Sequence, residues 1–168
     1  MEKELINKAK KIKAFVSDVD GVMTDGSIIY DEDGKEYKVF NAKDGQGVVN
    51  LKNAGILTAV ITARQNGTIQ HRFENLGITK IYQGQKDKRA AFQSFLDEFK
   101  ITANEVAYIG DDLPDICILE QAAIAACPND AADEVKKICN FICTKNGGRG
   151  AVRELCDFIY KNGNFEKK

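Results

Sequence analysis

The chain has 168 residues, the size of a single domain that can bury a substantial core. Its 43% hydrophobic and 29% charged content excludes disordered and collagen-like classes. Because 24 Lys and Arg residues nearly balance 25 Asp and Glu residues, the net charge is only -1. The chain therefore lacks the positive field that would hold a nucleic acid or an anionic membrane, and we expect neither as a partner.

Neither the N-terminus nor the cysteines point to export. Residues 1–13, MEKELINKAKKIK, contain no apolar run and predict a short amphipathic helix rather than a targeting peptide. Five cysteines, an odd number on apolar segments, indicate reduced core thiols. Cys139 and Cys143 have a metal-like spacing, but without a second Cys or His pair we do not expect zinc. These features favour a cytoplasmic protein.

Apolar strands and amphipathic helices alternate about six times along the chain. The predicted strands are Ile12–Val16, Ile56–Ile61, Ile81–Tyr82, Val106–Ile109, Ile124–Ala126 and Phe141–Cys143. The predicted helices are Gly47–Asn53, Thr68–Leu76, Lys88–Phe99, Pro114–Ala122, Ala131–Ile138 and Val152–Tyr160. This alternation predicts an α/β, Rossmann-like fold, with a mostly parallel sheet and helices on both faces. We expect one domain over residues 1–168, with a core of about 12–160 and a tail of about 145–168.

One segment breaks the alternation. Ser27–Phe40 has a turn signal, Asp33-Gly34, between two β-prone runs. This arrangement predicts a β-hairpin, inserted directly after the first strand. The hairpin should project beside the carboxyl ends of the strands, where parallel sheets bind ligands.

Two aspartates follow the first strand. In an extended chain Asp18 and Asp20 point the same way, so their carboxylates share one site. Two neighbouring carboxylates repel each other, so such a pair indicates a bound cation, a bound proton or a role in a reaction. The alternative is a solvated turn, because Asp and Gly are ordinary turn residues.

A second acidic cluster, Asp111, Asp112 and Asp115, follows the strand Val106–Ile109. The ends of neighbouring parallel strands lie side by side, so Asp111 can face Asp18 across one cavity. Carboxylate oxygens suit a hard cation, and Mg²⁺ is the natural candidate. Capping of a helix before Pro114 is the alternative role for Asp111 and Asp112.

Further polar groups are expected at the same edge of the sheet. Thr62 and Arg64 follow the strand Ile56–Ile61, and Lys88 begins a helix. They would supply a hydroxyl, a guanidinium and an ammonium for an anionic ligand. Lys88 lies between Asp87 and Arg89, and such a lysine is most often a solvated surface charge.

These residues resemble a known set. DVDGVMTDG, the Thr62 hydroxyl, Lys88 and GDDLPD, on successive strand ends, resemble the four motifs of the haloacid dehalogenase superfamily. FNAKDG, YQGQ and GGRGAVRE are similar to its capless branch, which contains the phosphatases of 3-deoxy-D-manno-octulosonate 8-phosphate (KDO 8-phosphate). The resemblance extends from about residue 12 to about residue 160.

The resemblance implies a phosphomonoester hydrolase. Asp18 would be the nucleophile that forms an aspartyl-phosphate, and Asp20 the general acid and then the base. Thr62 and Lys88 would hold the phosphoryl oxygens.

It also implies a Mg²⁺ cofactor. Asp18, the Asp20 backbone carbonyl and Asp111 would bind the ion, and Asp115 would orient metal-bound water or Lys88.

The substrate would be a sugar-acid phosphate. Besides Asp20 and Lys88, the resemblance assigns its recognition to Asn41, Lys43, Asp44, Gly45, Arg64, Arg72 and Arg149. Arg149 would come from a C-terminal tail, since members of this branch are typically homotetramers whose hairpins and tails close neighbouring sites. Arg72 and Arg149 have an alternative as exposed surface charges.

The expected reaction converts KDO 8-phosphate to KDO and phosphate, for lipopolysaccharide synthesis. Val49, Lys43 and Ala63 depart from the pattern of that branch, which leaves open a nonulosonate 9-phosphate (of KDN or N-acetylneuraminate) as substrate. Arg64 favours the eight-carbon sugar, since relatives acting on nine-carbon phosphates tend to carry Glu there.

Two alternatives come from other functional classes. One is a phosphoaspartate receiver domain used in signalling. It is disfavoured because receivers carry the phosphorylated Asp on a mid-chain strand, whereas Asp18 follows the first strand. The other is a non-catalytic subunit, which should have lost Asp18 or Asp20.

Overall fold

A computed structural model describes residues 2–165 of the chain. In that part of the chain the helices are α1 (Glu2–Ala9), α2 (Ala42–Asn53), α3 (Gly67–Leu76), α4 (Lys88–Phe99), α5 (Ile116–Leu119), α6 (Asp133–Ile138) and α7 (Ala151–Asn162). The strands are β1 (Ala14–Ser17), β2 (Ile29–Tyr30), β3 (Glu36–Tyr37), β4 (Leu57–Ile61), β5 (Lys80–Tyr82), β6 (Val106–Ile109), β7 (Ile124–Cys127) and β8 (Phe141–Ile142). Short 3₁₀ turns cover Ala103–Glu105 and Leu113–Asp115.

Six strands form one parallel sheet in the order β5-β4-β1-β6-β7-β8. The predicted α/β fold is therefore confirmed. From β1 the chain moves outward through β4 and β5, and then returns to the opposite side of β1 through β6. Ligands of such sheets bind at this reversal of strand order, at the carboxyl ends of the strands.

Helices cover both faces of the sheet. Side chains alternate between the faces, so Phe15 and Val60 belong to one buried cluster, while Val16 and Ile61 belong to the other. Helix α7 packs along α2 and against α1 on the first face, and α4, α5 and α6 pack in sequence on the second. Burial on both faces explains why these strands are continuously apolar.

Several predicted helix boundaries were wrong, for local reasons. Helix α2 begins at Ala42 rather than Gly47 because the Asn41 side chain accepts a hydrogen bond from the N–H of Lys43 and caps the helix. The helix predicted from Pro114 to Ala122 is a 3₁₀ turn followed by the short α5. This turn is tightened by the Asp115 carboxylate, which accepts hydrogen bonds from backbone N–H groups just before it.

The segment predicted as a C-terminal tail is packed against its own chain as far as Phe165, and residues 166–168 lie outside the described part. Its glycine-rich loop contacts the turn after β1, where the Gly148 N–H donates to the Val22 carbonyl at 2.8 Å. A Cβ on Gly147 would lie 1.8 Å from the Gly21 carbonyl oxygen, so only glycine fits there. Helix α7 then buries its apolar face, which a free tail could not do.

The predicted hairpin is confirmed. Strands β2 and β3 pair antiparallel, apart from the main sheet, and Gly34 adopts φ +76° in the connecting turn. The hairpin exposes large apolar residues: Ile28, Ile29, Tyr30, Tyr37 and Val39. Across residues 2–165, none of the helices has the length and apolar character needed to cross a membrane.

Candidate active site

A cavity of about 270 Å³ opens at the carboxyl ends of β1, β4 and β6. Its walls include seven of the residues singled out from the sequence, namely Asp18, Asp20, Thr62, Arg64, Lys88, Asp111 and Asp115. They come from separate parts of the chain, and the sheet topology brings them together.

Asp18 occupies the floor of this cavity. Its backbone N–H donates to the Ile109 carbonyl at 3.0 Å, which fixes the residue at the end of β1. One carboxylate oxygen, Oδ1, accepts the Val19 N–H at 2.6 Å, and Oδ2 lies 2.9 Å from the Lys88 ammonium. Burial, with a further contribution from the Asp115 carboxylate, raises the pKa of Asp18 to about 7.

Lys88 is the first residue of α4, and its side chain is only 2% exposed. Its Nζ lies between Asp18 and Asp115, at 2.7 Å from Asp115 Oδ1. Burial alone would lower the pKa of Lys88, but the two carboxylates outweigh it and raise the pKa above its usual value. The side chain is thus held as an ammonium against the Asp18 carboxylate, and the alternative of a solvated surface charge is wrong.

Asp115 organises this arrangement from behind. Its Oδ1 also accepts the Tyr108 hydroxyl at 2.5 Å, and its Oδ2 accepts the Asp111 N–H at 3.0 Å. Both oxygens are therefore in use, so Asp115 positions Lys88 and the Asp111 loop. Sequence reasoning missed Tyr108, whose hydroxyl is fully buried on a strand that otherwise looks purely apolar.

Asp111 lies opposite Asp18, packed against Gly21. A Cβ on Gly21, whose φ is +79°, would lie 2.0 Å from Asp111 Oδ2. Burial first, and then the Asp18 charge, raises the pKa of Asp111 to about 8. Among the described residues, nothing donates a hydrogen bond to its buried Oδ1. An unpartnered buried carboxylate oxygen is costly unless a cation binds it.

The acidic groups fit a magnesium ion. One carboxylate oxygen from each of Asp18, Asp111 and Asp115 lies within 4.8 Å of the other two. All are hard oxygen ligands, which Mg²⁺ prefers. Each oxygen of Asp115 already accepts two donors, whereas each oxygen of Asp18 has one and the buried Oδ1 of Asp111 has none among the described residues. Asp18 and Asp111 are therefore the better candidates for direct ligands.

Asp20 projects into the cavity two residues after Asp18. Its Oδ1 accepts a hydrogen bond from Lys38, which also pairs with Glu36 at 2.7 Å. Both partners come from the hairpin, and sequence reasoning missed them. The available signal was their spacing of two residues, which places both on the face opposite Tyr37.

Thr62 and Arg64 follow β4 at the rim. Thr62 is buried, and its Oγ accepts the Arg64 N–H at 3.2 Å while lining the cavity. The Arg64 guanidinium is 45% exposed and lies 3.8 Å from Glu36. Arg64 is thus anchored through its backbone, while its charged end remains accessible to a ligand.

The other residues predicted to bind the sugar acid lie outside this cavity. Asn41 and Arg149 line a second cavity of about 240 Å³, where Arg149 pairs with Asp25 at 2.8 Å. The Arg72 guanidinium lies against Gly45, where a Cβ would be 2.4 Å from Nη2, and its Cζ lies over the Phe40 ring at 5.8 Å from the centroid.

Lys43 and Asp44 lie on the first turn of α2. Lys43 is exposed, whereas Asp44 is fully buried and accepts the N–H groups of Gly150 and Arg153 at 3.1 and 2.8 Å. Burial raises the pKa of Asp44. In this chain Asp44 binds the start of α7 and does not face the cavity around Asp18.

Three comparisons place the chain among known proteins. Residues 74–155 match the family model for haloacid dehalogenase-like hydrolases. The chain is 40% identical to the 3-deoxy-D-manno-octulosonate 8-phosphate phosphatase KdsC of Yersinia pestis, with 93% of this chain and 83% of that protein aligned. A putative subfamily III A hydrolase of the same superfamily from Legionella pneumophila superposes with a TM-score of 0.94 at 45% identity, covering 96% and 88% of the two chains.

A structure of the KDO 8-phosphate phosphatase of Moraxella catarrhalis is similar as well. It superposes with a TM-score of 0.95 at 41% identity and covers 98% of this chain and 94% of its own. That structure is described as a complex with magnesium, phosphate and KDO.

Fold and site together define a phosphatase of the haloacid dehalogenase superfamily, with an aspartate pair after the first strand and Thr62, Lys88 and Asp111 on neighbouring strand ends. Within that superfamily, the chain belongs to the family of KDO 8-phosphate phosphatases.

Proposed function

We propose that this protein hydrolyses KDO 8-phosphate to KDO and inorganic phosphate, as part of lipopolysaccharide synthesis. The observation that carries the proposal is the arrangement around Asp18, a carboxylate held by a buried ammonium and facing a second acidic group across the cavity. The Moraxella relative, described with KDO in its complex, supports the eight-carbon sugar over a nine-carbon one.

The reaction begins at the Asp18 carboxylate. One of its oxygens attacks phosphorus, and the new O–P bond forms as the bond between phosphorus and the sugar oxygen breaks. The contacts with Lys88 and the Val19 N–H hold the carboxylate in place for this attack. The result is an aspartyl-phosphate and a departing sugar alkoxide.

Asp20 acts first as the general acid and then as the general base. Its carboxyl group gives a proton to the sugar oxygen as that oxygen leaves, and the resulting carboxylate then takes a proton from the attacking water. Water adds to phosphorus, the Asp18–phosphorus bond breaks, and phosphate is released. Asp18 and Asp20 both return to their starting states.

The charge that spreads over the phosphoryl oxygens is met by Lys88 and by the Thr62 hydroxyl. Asp18, Asp111 and the backbone carbonyl of Asp20 would hold Mg²⁺, which neutralises negative charge where an anionic nucleophile meets an anionic phosphate. Asp115 keeps Lys88 pointed at Asp18.

The sugar carboxylate requires cations at the rim. Arg64 lines the cavity and is its direct candidate, since a guanidinium matches a carboxylate in geometry. Asn41, Lys43, Gly45, Arg72 and Arg149 lie farther away, and contacts from these residues would reach the substrate of a neighbouring subunit or require rearrangement. For Asp44 we infer an indirect role, through the start of α7.

We also propose that the protein works as a homotetramer in the cytoplasm. Support for assembly is the group of exposed apolar residues on the hairpin, which a second copy would cover. Support for the compartment is that all five cysteines carry free thiols. Sedimentation should show an assembly of four copies that Ile29→Lys disrupts, whereas Ile142→Lys, at an exposed site outside the hairpin, should not.

The test of function is phosphate release with Mg²⁺ or with EDTA. KDO 8-phosphate, the two nonulosonate 9-phosphates and simple sugar phosphates are compared side by side. We expect Mg²⁺-dependent release that is fastest with KDO 8-phosphate, and none from Asp18→Asn, while Asp33→Asn at an exposed turn behaves as wild type. Faster release from a nine-carbon substrate would change the substrate, and no release from any would remove the proposal.

A further inference from the structure

The hairpin places a buried lysine in the active site. The Lys38 side chain is 2% exposed, although its neighbours Tyr37 and Val39 are 45% and 60% exposed. A buried ammonium must be paired, and Lys38 contacts two carboxylates, those of Asp20 and Glu36. No step of the mechanism above uses it.

The contact distinguishes the two oxygens of Asp20. Lys38 binds Oδ1, while Oδ2 is buried and has no hydrogen-bond partner among the described residues. An unpartnered buried oxygen is expensive in a folded protein and is a common feature of functional sites. Fixing Oδ1 leaves Oδ2 as the atom available to carry and give a proton.

Lys38 is itself held from the other side. Glu36 pairs with Lys38 at 2.7 Å, and its second oxygen lies 3.8 Å from Arg64 at the cavity rim. Charges of alternating sign therefore run from Arg64 through Glu36 and Lys38 to Asp20. These ion pairs hold Lys38 in one position and connect the hairpin to Asp20 of the same chain.

We propose that Lys38 is a positioning residue that orients the carboxyl group of Asp20 for proton transfer to the leaving group. The proposal rests on the acid role of Asp20 in the proposed function. In that step the Oδ2–H bond of Asp20 breaks and its proton bonds to the sugar oxygen. The electron pair of the breaking P–O bond stays on that oxygen, and Asp20 is left as a carboxylate.

The ammonium also favours this step electrostatically. The reaction creates a negative charge on Asp20, next to Lys38, in a site partly shielded from water. A fixed positive charge there stabilises the anion as it forms and needs no reorganisation of solvent. Lys38 thus acts through Asp20 and makes no contact with the phosphate in this scheme.

The test varies the leaving group. A sugar alkoxide needs a proton in order to leave, whereas p-nitrophenolate leaves without one. The quantity measured is kcat/KM, which covers only the steps through leaving-group departure and excludes hydrolysis of the aspartyl-phosphate. For Lys38→Met we expect a loss of about tenfold or more with KDO 8-phosphate and less than about threefold with p-nitrophenyl phosphate.

Matched variants sharpen the result. Lys38→Arg should restore part of the activity toward KDO 8-phosphate, because it keeps the charge. Lys35→Met, at an exposed lysine of the same hairpin, should match wild type. Glu36→Gln should show the same leaving-group preference with a smaller loss, and it provides an independent test if Lys38→Met folds poorly in a thermal melt.

A double variant tests the route through Asp20. In Asp20→Asn, removal of Lys38 should cost little more, because the group that it positions is already gone. Additive losses, equal losses on both substrates, or unchanged kcat/KM in Lys38→Met would each overturn the proposal.

Wild-type activity separates this proposal from the proposed function. If the wild type fails with KDO 8-phosphate but hydrolyses another sugar phosphate, that substrate takes its place in the comparison. If it hydrolyses none, the proposed function fails, and the acid role of Asp20 and the Lys38 proposal fail with it.

Discussion

The centre of the site and its rim differ in how far their charged side chains are buried. The centre, formed by Asp18, Lys88, Asp111 and Asp115, is enclosed, and the side chains of Lys88 and Asp115 are 2% and 1% exposed. At the rim, Arg64 is 45% exposed and lies near Glu36, and in the second cavity Arg149 is 66% exposed and pairs with Asp25. The centre is therefore organised in the absence of a ligand, whereas Arg64 and Arg149 would have to exchange partners to bind one. Under the proposed function, the chemistry would take place in a more rigid region than substrate recognition.

The strongest test of this contrast is Lys88→Met. Removing the ammonium leaves Asp18 and Asp115 as uncompensated buried carboxylates and, under the proposed function, removes a donor to the phosphoryl oxygens. We expect kcat to fall by about 10³-fold or more and the metal-free protein to lose ~3 kcal/mol of stability. Steady-state phosphate release and thermal unfolding measure the two effects.

The matched control is Lys86→Met, two residues earlier at an exposed position in the loop before α4. It should leave both quantities near wild type. A Lys88→Met enzyme that keeps more than about a tenth of its activity would contradict a preorganised centre.

At the rim, Arg64→Ala should act on binding more than on chemistry. Loss of a charged partner of the sugar carboxylate should raise KM for KDO 8-phosphate about tenfold, with a smaller change in kcat. Because p-nitrophenyl phosphate has no carboxylate beside its phosphate, its KM should stay within about threefold. Gln65→Ala, at an adjacent exposed position, serves as the control. Equal effects on both substrates would show that Arg64 belongs functionally to the centre.

The contrast between centre and rim also explains which site residues could be predicted from the sequence. Asp18, Thr62 and Asp111 follow apolar strands, so the parallel topology alone places them together. Lys88 required the family resemblance, because a lysine between Asp87 and Arg89 has no local signal of burial. The centre was therefore accessible from pattern and motif order.

The rim and the hairpin contacts were harder to predict. The partners of Lys38, Asp44 and Arg149 depend on how the hairpin and the glycine-rich loop fold back, and short-range patterns do not encode those distances. Asp44 is an example. An aspartate at this position suits a ligand site, but its carboxylate oxygens accept hydrogen bonds from backbone N–H groups at the start of α7. Helix α2 begins at Ala42 rather than at the predicted Gly47, because the Asn41 cap overrode the apolar pattern.

A smaller effect is expected from Tyr108→Phe, behind the centre. The change removes the hydroxyl that donates to Asp115 and keeps the packing of the ring. We expect a loss of ~1 kcal/mol in unfolding free energy and a few-fold fall in kcat, with KM nearly unchanged. Denaturant unfolding and steady-state kinetics measure these, with Tyr30→Phe on the exposed hairpin as control. A fall in kcat as large as that of Lys88→Met would mean that Asp115 depends on this phenol for its position.

The smallest effect is a dependence of metal stabilisation on pH. Chiefly through burial, the pKa values of Asp18 and Asp111 are raised to about 7 and about 8. A carboxyl group whose pKa is higher in the folded chain than in the unfolded chain favours folding in its protonated form. That contribution is complete below about pH 4, falls as the pH rises, and is gone above about pH 8.

Magnesium binds the ionised carboxylates, so its binding compensates for the stability that the folded protein loses as the pH rises. Between about pH 6 and about pH 8.5, the melting temperature in EDTA should fall, and the increase produced by Mg²⁺ should grow by a few degrees. Asp111→Asn should flatten both trends, because it removes one of the two titrating groups, whereas Asp33→Asn should leave them intact. An equal magnesium shift at both pH values would mean that protons and metal do not compete at the centre. The enclosed carboxylates would then be ionised before the metal binds. Burial would in that case not give the centre a protonation behaviour different from that of the rim.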